Sequence, residues 1–118
     1  MVEVEYPGAV HLPEAGLWLD PRFPKPLAFV SHAHSDHTAR HGATIATPVT
    51  LRLMEARMGA LGGEQIPLPF GERRDFGRFS ISLLPAGHVL GSAQCLVETG
   101  GGTLLYTGDF KLRQGASA

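Results

Sequence analysis

A layered α/β or α+β architecture is what this sequence predicts, and three observations carry the reading. Short apolar runs are interrupted by Gly and Pro at close intervals; one segment, Val49 to Met58, repeats its apolar residues at helical spacing; and Gly100-Gly101-Gly102 joins two strand-like runs. The 118 residues suit one hydrophobic core, and 43% apolar content is enough to fill it. With 15 Gly and 9 Pro the chain should be rich in turns, not low in complexity, because these residues punctuate apolar runs instead of clustering.

Taken in order, Val2 to Tyr6 alternates apolar and charged residues and reads as a half-exposed strand closed by Pro7-Gly8. Ala9 to Leu12 and Leu17 to Asp20 flank Pro13-Glu14-Ala15-Gly16, a hairpin pattern, and the proline-rich stretch Pro21 to Pro26 reads as a surface loop. Leu27-Ala28-Phe29-Val30 is continuously apolar, the mark of a strand buried on both faces, and Thr44 to Thr47 is a further short strand. Thr47 can cap a helix, Pro48 suits its first turn, and Gly59, Gly62 and Gly63 end it. Leu51, Met54 and Met58 would then face the core while Arg52, Glu55 and Arg57 face solvent. Beyond Pro69 the pattern turns to β around Arg73 to Phe76, Phe79 to Leu84, Ala93 to Thr99 and Thr103 to Thr107.

Net charge is −1 with acids and bases evenly mixed, so no global attraction to nucleic acid or anionic membrane is built in. A single cysteine, Cys95, excludes an intramolecular disulfide and fits a reducing compartment. The amino terminus lacks the regions of a signal peptide, and no apolar run nears the roughly 20 residues of a membrane helix, so a cytoplasmic protein is expected.

The chemistry concentrates at His32-Ala33-His34-Ser35-Asp36-His37, directly after the buried strand. His32 and His34 fall on one side of an extended chain, and Asp36 and His37 add a carboxylate and a third imidazole. Such a set is costly to pack without a metal, and mixed His/Asp donors are what catalytic zinc sites use. His88 lies between Gly87 and Gly91 after the apolar run Ile81 to Leu84, and Asp109 follows Gly108 after another. Three strand ends delivering His and Asp beside glycine predict one shared rim.

The segment His32 to His37 resembles the HxHxDH signature of the metallo-β-lactamase superfamily, with His88 and Asp109 where that superfamily places its next two ligands. Pro85-Ala86-Gly87-His88-Val89-Leu90-Gly91-Ser92-Ala93 and Thr107-Gly108-Asp109-Phe110-Lys111 look most like its nucleic-acid-processing branch. That branch holds the mRNA 3′-end-processing endonucleases, the β-CASP RNases and the DNA-ligase-associated exonuclease-like proteins. The run Gly16-Leu17-Trp18-Leu19-Asp20 is closest to the last of these. The resemblance implies an α/β fold, the N-terminal half of an αββα sandwich with a mixed β-sheet and few helices, with residues 1–118 as one truncated domain.

It also implies two zinc ions, manganese being a second candidate. His32, His34 and His88 would hold the first, Asp36 and His37 the second, and Asp109 both, with Asp36 and Asp109 in catalytic roles. The implied activity is a metal-dependent phosphodiesterase, exonuclease-like, cleaving DNA or RNA through a zinc-activated hydroxide. Ser31, Ser35 and backbone carbonyls are candidates for fixing the imidazole tautomers. Family members carry a further histidine for the second metal, and no histidine follows His88. The second site is therefore expected to be incomplete, and an apolar sheet face to be left open to homodimerisation or other association. Two other readings stand beside the nuclease: a thioester or lactone hydrolase on the same metal core, and an inactive metal-binding fragment.

The remaining polar and aromatic residues carry less. His11 reads as a packing or surface histidine, and His41 as solvent-facing, with contact to a substrate phosphate as its functional alternative. Cys95 reads as a buried inert thiol and Trp18 as core or interface. Lys111 and Arg113, near the supposed rim, are either solvated or set against a phosphate backbone.

Overall fold

The turn at Pro13 to Gly16 closes as its composition predicts: Gly16, at φ 65°, returns its N–H to the Leu12 carbonyl at 2.9 Å. It pairs β1 (Val10–Leu12) with β2 (Leu17–Leu19) in antiparallel register. The computed structural model describes residues 1–33, 39–87, 91–108 and 112–115. From β2 the chain continues through three strands parallel to it, β3 (Leu27–Phe29), β4 (Ala43–Ala46) and β5 (Glu64–Pro67), giving the sheet order β1-β2-β3-β4-β5. The helix α1 (Pro48–Met58) is the crossover between β4 and β5, as parallel neighbours require.

The second sheet is antiparallel throughout: β6 (Arg73–Asp75), β7 (Ser80–Pro85), β8 (Ala93–Thr99), β9 (Gly102–Tyr106) and β10 (Leu112–Gly115) lie in sequence order. Strand periodicity decides what faces what. Phe29 and Ile45 of the first sheet join Ile81, Leu83, Cys95, Val97, Leu104 and Tyr106 of the second in one buried cluster. Their neighbours Val30 and Ala46 point the other way and join Leu51 and Met54 of α1 in a second cluster. The layers therefore run helix, sheet, sheet, and the inner strands β3 and β4 of the first sheet are buried on both faces. The outer face of the second sheet alternates with its buried row and mixes Leu84, Leu96 and Leu105 with Ser82, Glu98 and Arg113, a more polar face than the apolar one expected.

Helix α1 starts and stops on the predicted residues. Thr47 accepts the Thr50 N–H with its side chain, Pro48 occupies the first turn, and Gly59 ends the helix with its N–H on the Glu55 carbonyl. Leu51 and Met54 are buried, Met58 partly so, and Arg52, Glu55 and Arg57 are exposed. Arg40 covers the helix end, its guanidinium donating to the carbonyls of Met58 at 2.6 Å and Ala60 at 3.0 Å, where a cation meets the negative end of the dipole.

Three features depart from the sequence expectation. Val2 to Tyr6 is no strand; only Glu5 makes a bridge, to His11, while the Gln114 side-chain amide pairs with the Val2 backbone in both directions. A side chain thus satisfies the backbone groups that a ladder would have. Strand β5 was hidden because Glu64-Gln65-Ile66-Pro67 has no alternation, and β10 because Leu112 to Gly115 offers one large apolar residue. Both are sheet edges, where propensity counts least.

His41 is the third departure, being 4% exposed and at the end of the first sheet where β3 and β4 begin. Its Nδ1 accepts the Lys25 N–H at 3.1 Å, which fixes the neutral tautomer with the proton on Nε2. That Nε2 is buried without a hydrogen-bond partner among the described residues. Burial lowers the His41 pKa below its ordinary value, against a weaker upward pull from Asp20. Nearby, Trp18 has the His11 ring stacked at 4.1 Å and the Lys25 ammonium 3.9 Å from its centroid.

A buried tyrosine and a carboxylate help tie the two sheets together. Asp20, directly after β2, accepts the Ser31 N–H on Oδ1 and the Tyr106 hydroxyl on Oδ2, both at 2.8 Å, while its own N–H bonds the Phe29 carbonyl. Tyr106 is wholly buried with its ring edge-on to Phe29 at 6.2 Å, so its hydroxyl requires such an acceptor. Replacing Tyr106→Phe should cost about 1–3 kcal/mol in urea unfolding. Asp20→Asn should cost at least as much, with a double-mutant coupling above about 0.5 kcal/mol. For His41, depression of the folded pKa means its contribution is complete above about pH 6.5, the unfolded value, and is lost as pH falls through the folded value. Unfolding midpoints at pH 7.5 and pH 5.5 should therefore differ more for the native chain than for His41→Asn.

Candidate metal centre

Parallel pairing sets the carboxyl ends of β2, β3 and β4 at one edge of the first sheet, the edge where open α/β sheets bind ligands. In the second sheet β7 and β9 both run antiparallel to β8, so their carboxyl ends also coincide. Hydrogen bonds join the two edges. The Ser31 carbonyl, just past β3, accepts the Ala93 N–H at the start of β8 at 2.8 Å. Gly108, two residues past β9 and at φ 90°, comes so near that a Cβ there would lie 3.4 Å from the Ser31 side chain.

His32 is the predicted ligand that the described residues include, and it stands on this rim. The Ser31 hydroxyl lies 2.9 Å from its Nδ1, where it can donate or accept according to the tautomer. Ala33, next along, has its carbonyl held at 2.7 Å by the Arg57 guanidinium from α1. His34, Asp36, His37, His88 and Asp109 lie outside the described residues, as do Ser35 and Lys111. Their flanks do not: Ala33, Gly87, Gly91 and Gly108 bracket them, and the contacts of Ser31, Gly91 and Gly108 draw those flanks to one place.

The loop between β7 and β8, which contains His88, is closed at its base by the Ala86 N–H on the Ser92 carbonyl at 3.1 Å. Its far shoulder rests on α1: the Thr47 and Thr50 hydroxyls both donate to the Gly91 carbonyl, at 2.8 and 3.1 Å. Gly91 sits at φ 78°, and a Cβ there would come within 2.9 Å of Val49.

Cys95 is buried, and burial, with Asp20 adding to it, pushes its thiol well above the ordinary value, which removes it as a nucleophile. A polar cleft of about 290 Å³ opens at the opposite end of the second sheet, where Arg73 pairs with Glu98 at 3.2 Å and Arg78 lies near Asp75. Arg113 is exposed on β10. Sequence reasoning passed over Asp20, Thr50 and Arg57, which position the rim without belonging to its ligand set. The signal for Asp20 was present, since it is a carboxylate immediately after an apolar strand.

No family model matches the chain. A probable DNA ligase from Opitutus terrae is 50% identical across 98% of the chain, which spans 12% of that protein. The 5′ exonuclease Apollo of Gallus gallus is 38% identical over 91 residues, 72% of the chain and 20% of that protein. Human protein artemis is 55% identical over 38 residues, 32% of the chain and 6% of its own length. The chain thus spans a fifth or less of each of these relatives. Helices long and apolar enough to cross a membrane are absent among the described residues. With half its residues identical to one relative across nearly its full length, the chain belongs to the nucleic-acid-processing, β-CASP branch of the metallo-β-lactamase superfamily and matches its N-terminal part.

Proposed function

We propose that this chain supplies the metal ligands of a hydrolase that cleaves phosphodiester bonds in DNA. The observation that carries the reading is the 38% identity to a 5′ exonuclease over 72% of the chain, joined to strand ends that converge on Ser31 and His32. The name of the 50% identical relative, a probable DNA ligase, favours DNA over RNA as the substrate. Because the chain spans only 12% and 20% of these two relatives, the activity is proposed for a protein that contains the segment.

The donor set suits divalent zinc, with manganese as the second choice: four imidazoles and two carboxylates, His32, His34, His37, His88, Asp36 and Asp109, are borderline and hard ligands in the proportion a hydrolytic site uses. His32, His34 and His88 are assigned to a first ion, Asp36 and His37 to a second, and Asp109 to both. Such ions, when bound, supply Lewis acidity and acidify water near neutral pH. The chain's own part is to hold and orient. With Nδ1 of His32 held by Ser31, ligation through Nε2 is the mode the contact favours. Asp36 would accept a hydrogen bond from the attacking water and take up its proton, and Asp109 would keep the two positions in register. The helix and two packed sheets are read as the N-terminal half of an αββα sandwich, with residues 1–118 as one domain.

A protein containing this segment, loaded with zinc or manganese, should degrade 5′-phosphorylated DNA. A chelator should abolish the reaction, and His32→Ala or Asp109→Asn should lower it by at least about 100-fold. Hydrolysis of a thioester or lactone with no cleavage of any nucleic acid would replace this reading by another hydrolase of the same fold.

A further inference from the structure

The Thr47–Thr50 pair has no part in ligation, yet it grips the loop that contains one of the ligands. Both side chains are buried, at 2% and 0% exposure, and both hydroxyls converge on a single acceptor, the Gly91 carbonyl. Thr47 is used twice, since the oxygen that donates to Gly91 also accepts the Thr50 N–H at 3.2 Å and so caps α1. A cap needs only the acceptor half of that arrangement. The donor half, doubled by Thr50, occupies both lone pairs of a carbonyl three residues beyond His88.

The two described shoulders of the loop are both held. Val49 fills the space where Gly91 would carry a side chain, and the Ala86 to Ser92 hydrogen bond closes the other end of the loop. Helix α1 is in turn packed on the first sheet through Leu51 and Met54, beside Val30 and therefore beside the strand end that presents His32. A series of contacts thus runs from the His32 strand through α1 to Gly91: apolar packing of Val30 on Leu51 and Met54, two hydroxyl hydrogen bonds and one glycine contact.

We propose that Thr47 and Thr50 are positioning residues: by clamping Gly91 they anchor the shoulder of the loop that contains His88 and so strengthen binding of the first metal ion. The proposal rests on the assignment of His88 as a ligand, made above, and it adds the element that anchors that loop.

The experiment is a zinc titration of the metal-free full chain against a chelating dye, which reads affinity and needs no turnover. Thr50→Val keeps the volume and removes only the hydroxyl; affinity should fall about 10-fold, the low end for a residue that orients a ligand from behind. Thr50→Ser, which restores the donor, should return it to near the native value. Thr50→Cys fills the same space with a weak donor and should fall between, so the comparison survives if Thr50→Val does not fold. His88→Ala is the control. If it lowers affinity while Thr50→Val and Thr50→Cys both bind zinc as the native chain does, the clamp is overturned and the ligand assignment stands. If His88→Ala leaves affinity unchanged, the assignment fails and the clamp fails with it.

Discussion

The Asp20 carboxylate is the interaction on which the rest of the structure depends. It takes one hydrogen bond from the strand end that leads to His32 and one from a tyrosine of the opposite sheet. Hydrophobic burial brings the two sheets together, but burial is non-directional and tolerates sliding. A carboxylate with two fixed donors at 2.8 Å does not. It sets which end of the first sheet meets which end of the second, and that end carries the candidate metal rim. The cost of desolvating Asp20 is offset by charge-assisted hydrogen bonds, each stronger than a neutral one.

Glycine makes the close approach feasible. At Gly108 and Gly91 the backbone adopts positive φ while another chain segment passes close by, so a side chain would be strained at both and obstructed at Gly91. Around these two points polar side chains, Ser31, Thr47 and Thr50, replace the sheet ladders that end there. The rim is thus a place where two sheets stop pairing with themselves and are fastened to each other by side chains. Ligands set on loops gain a fixed separation only when the loops are fastened in this way.

Much of this was legible in the residues. The helix was marked at both ends, by Thr47 with Pro48 and by Gly59, and the buried strands β3, β4, β8 and β9 were marked by continuous or alternating apolar runs. The convergence of three strand ends followed from His and Asp recurring beside glycine. What was hidden depends on partners distant in sequence. Strand β5 exists because β4 offers it a ladder, and Val2 is held by Gln114, 112 residues away. His41 looked like a surface residue because nothing local reveals that Lys25 will present its N–H to it. The roles of Asp20 and Thr50 are likewise pairwise, and composition and spacing carry no record of them.

The central claim is that His32 and its companions form a metal centre. The most direct measurement is an anomalous-difference map collected above and below the zinc edge on crystals of the chain grown with zinc. The account predicts a strong peak within bonding distance of His32 Nε2, shared with His34 and His88, and a second beside Asp36 and His37 with Asp109 touching both. Zinc peaks confined to other surface positions, with none at His32, would contradict it.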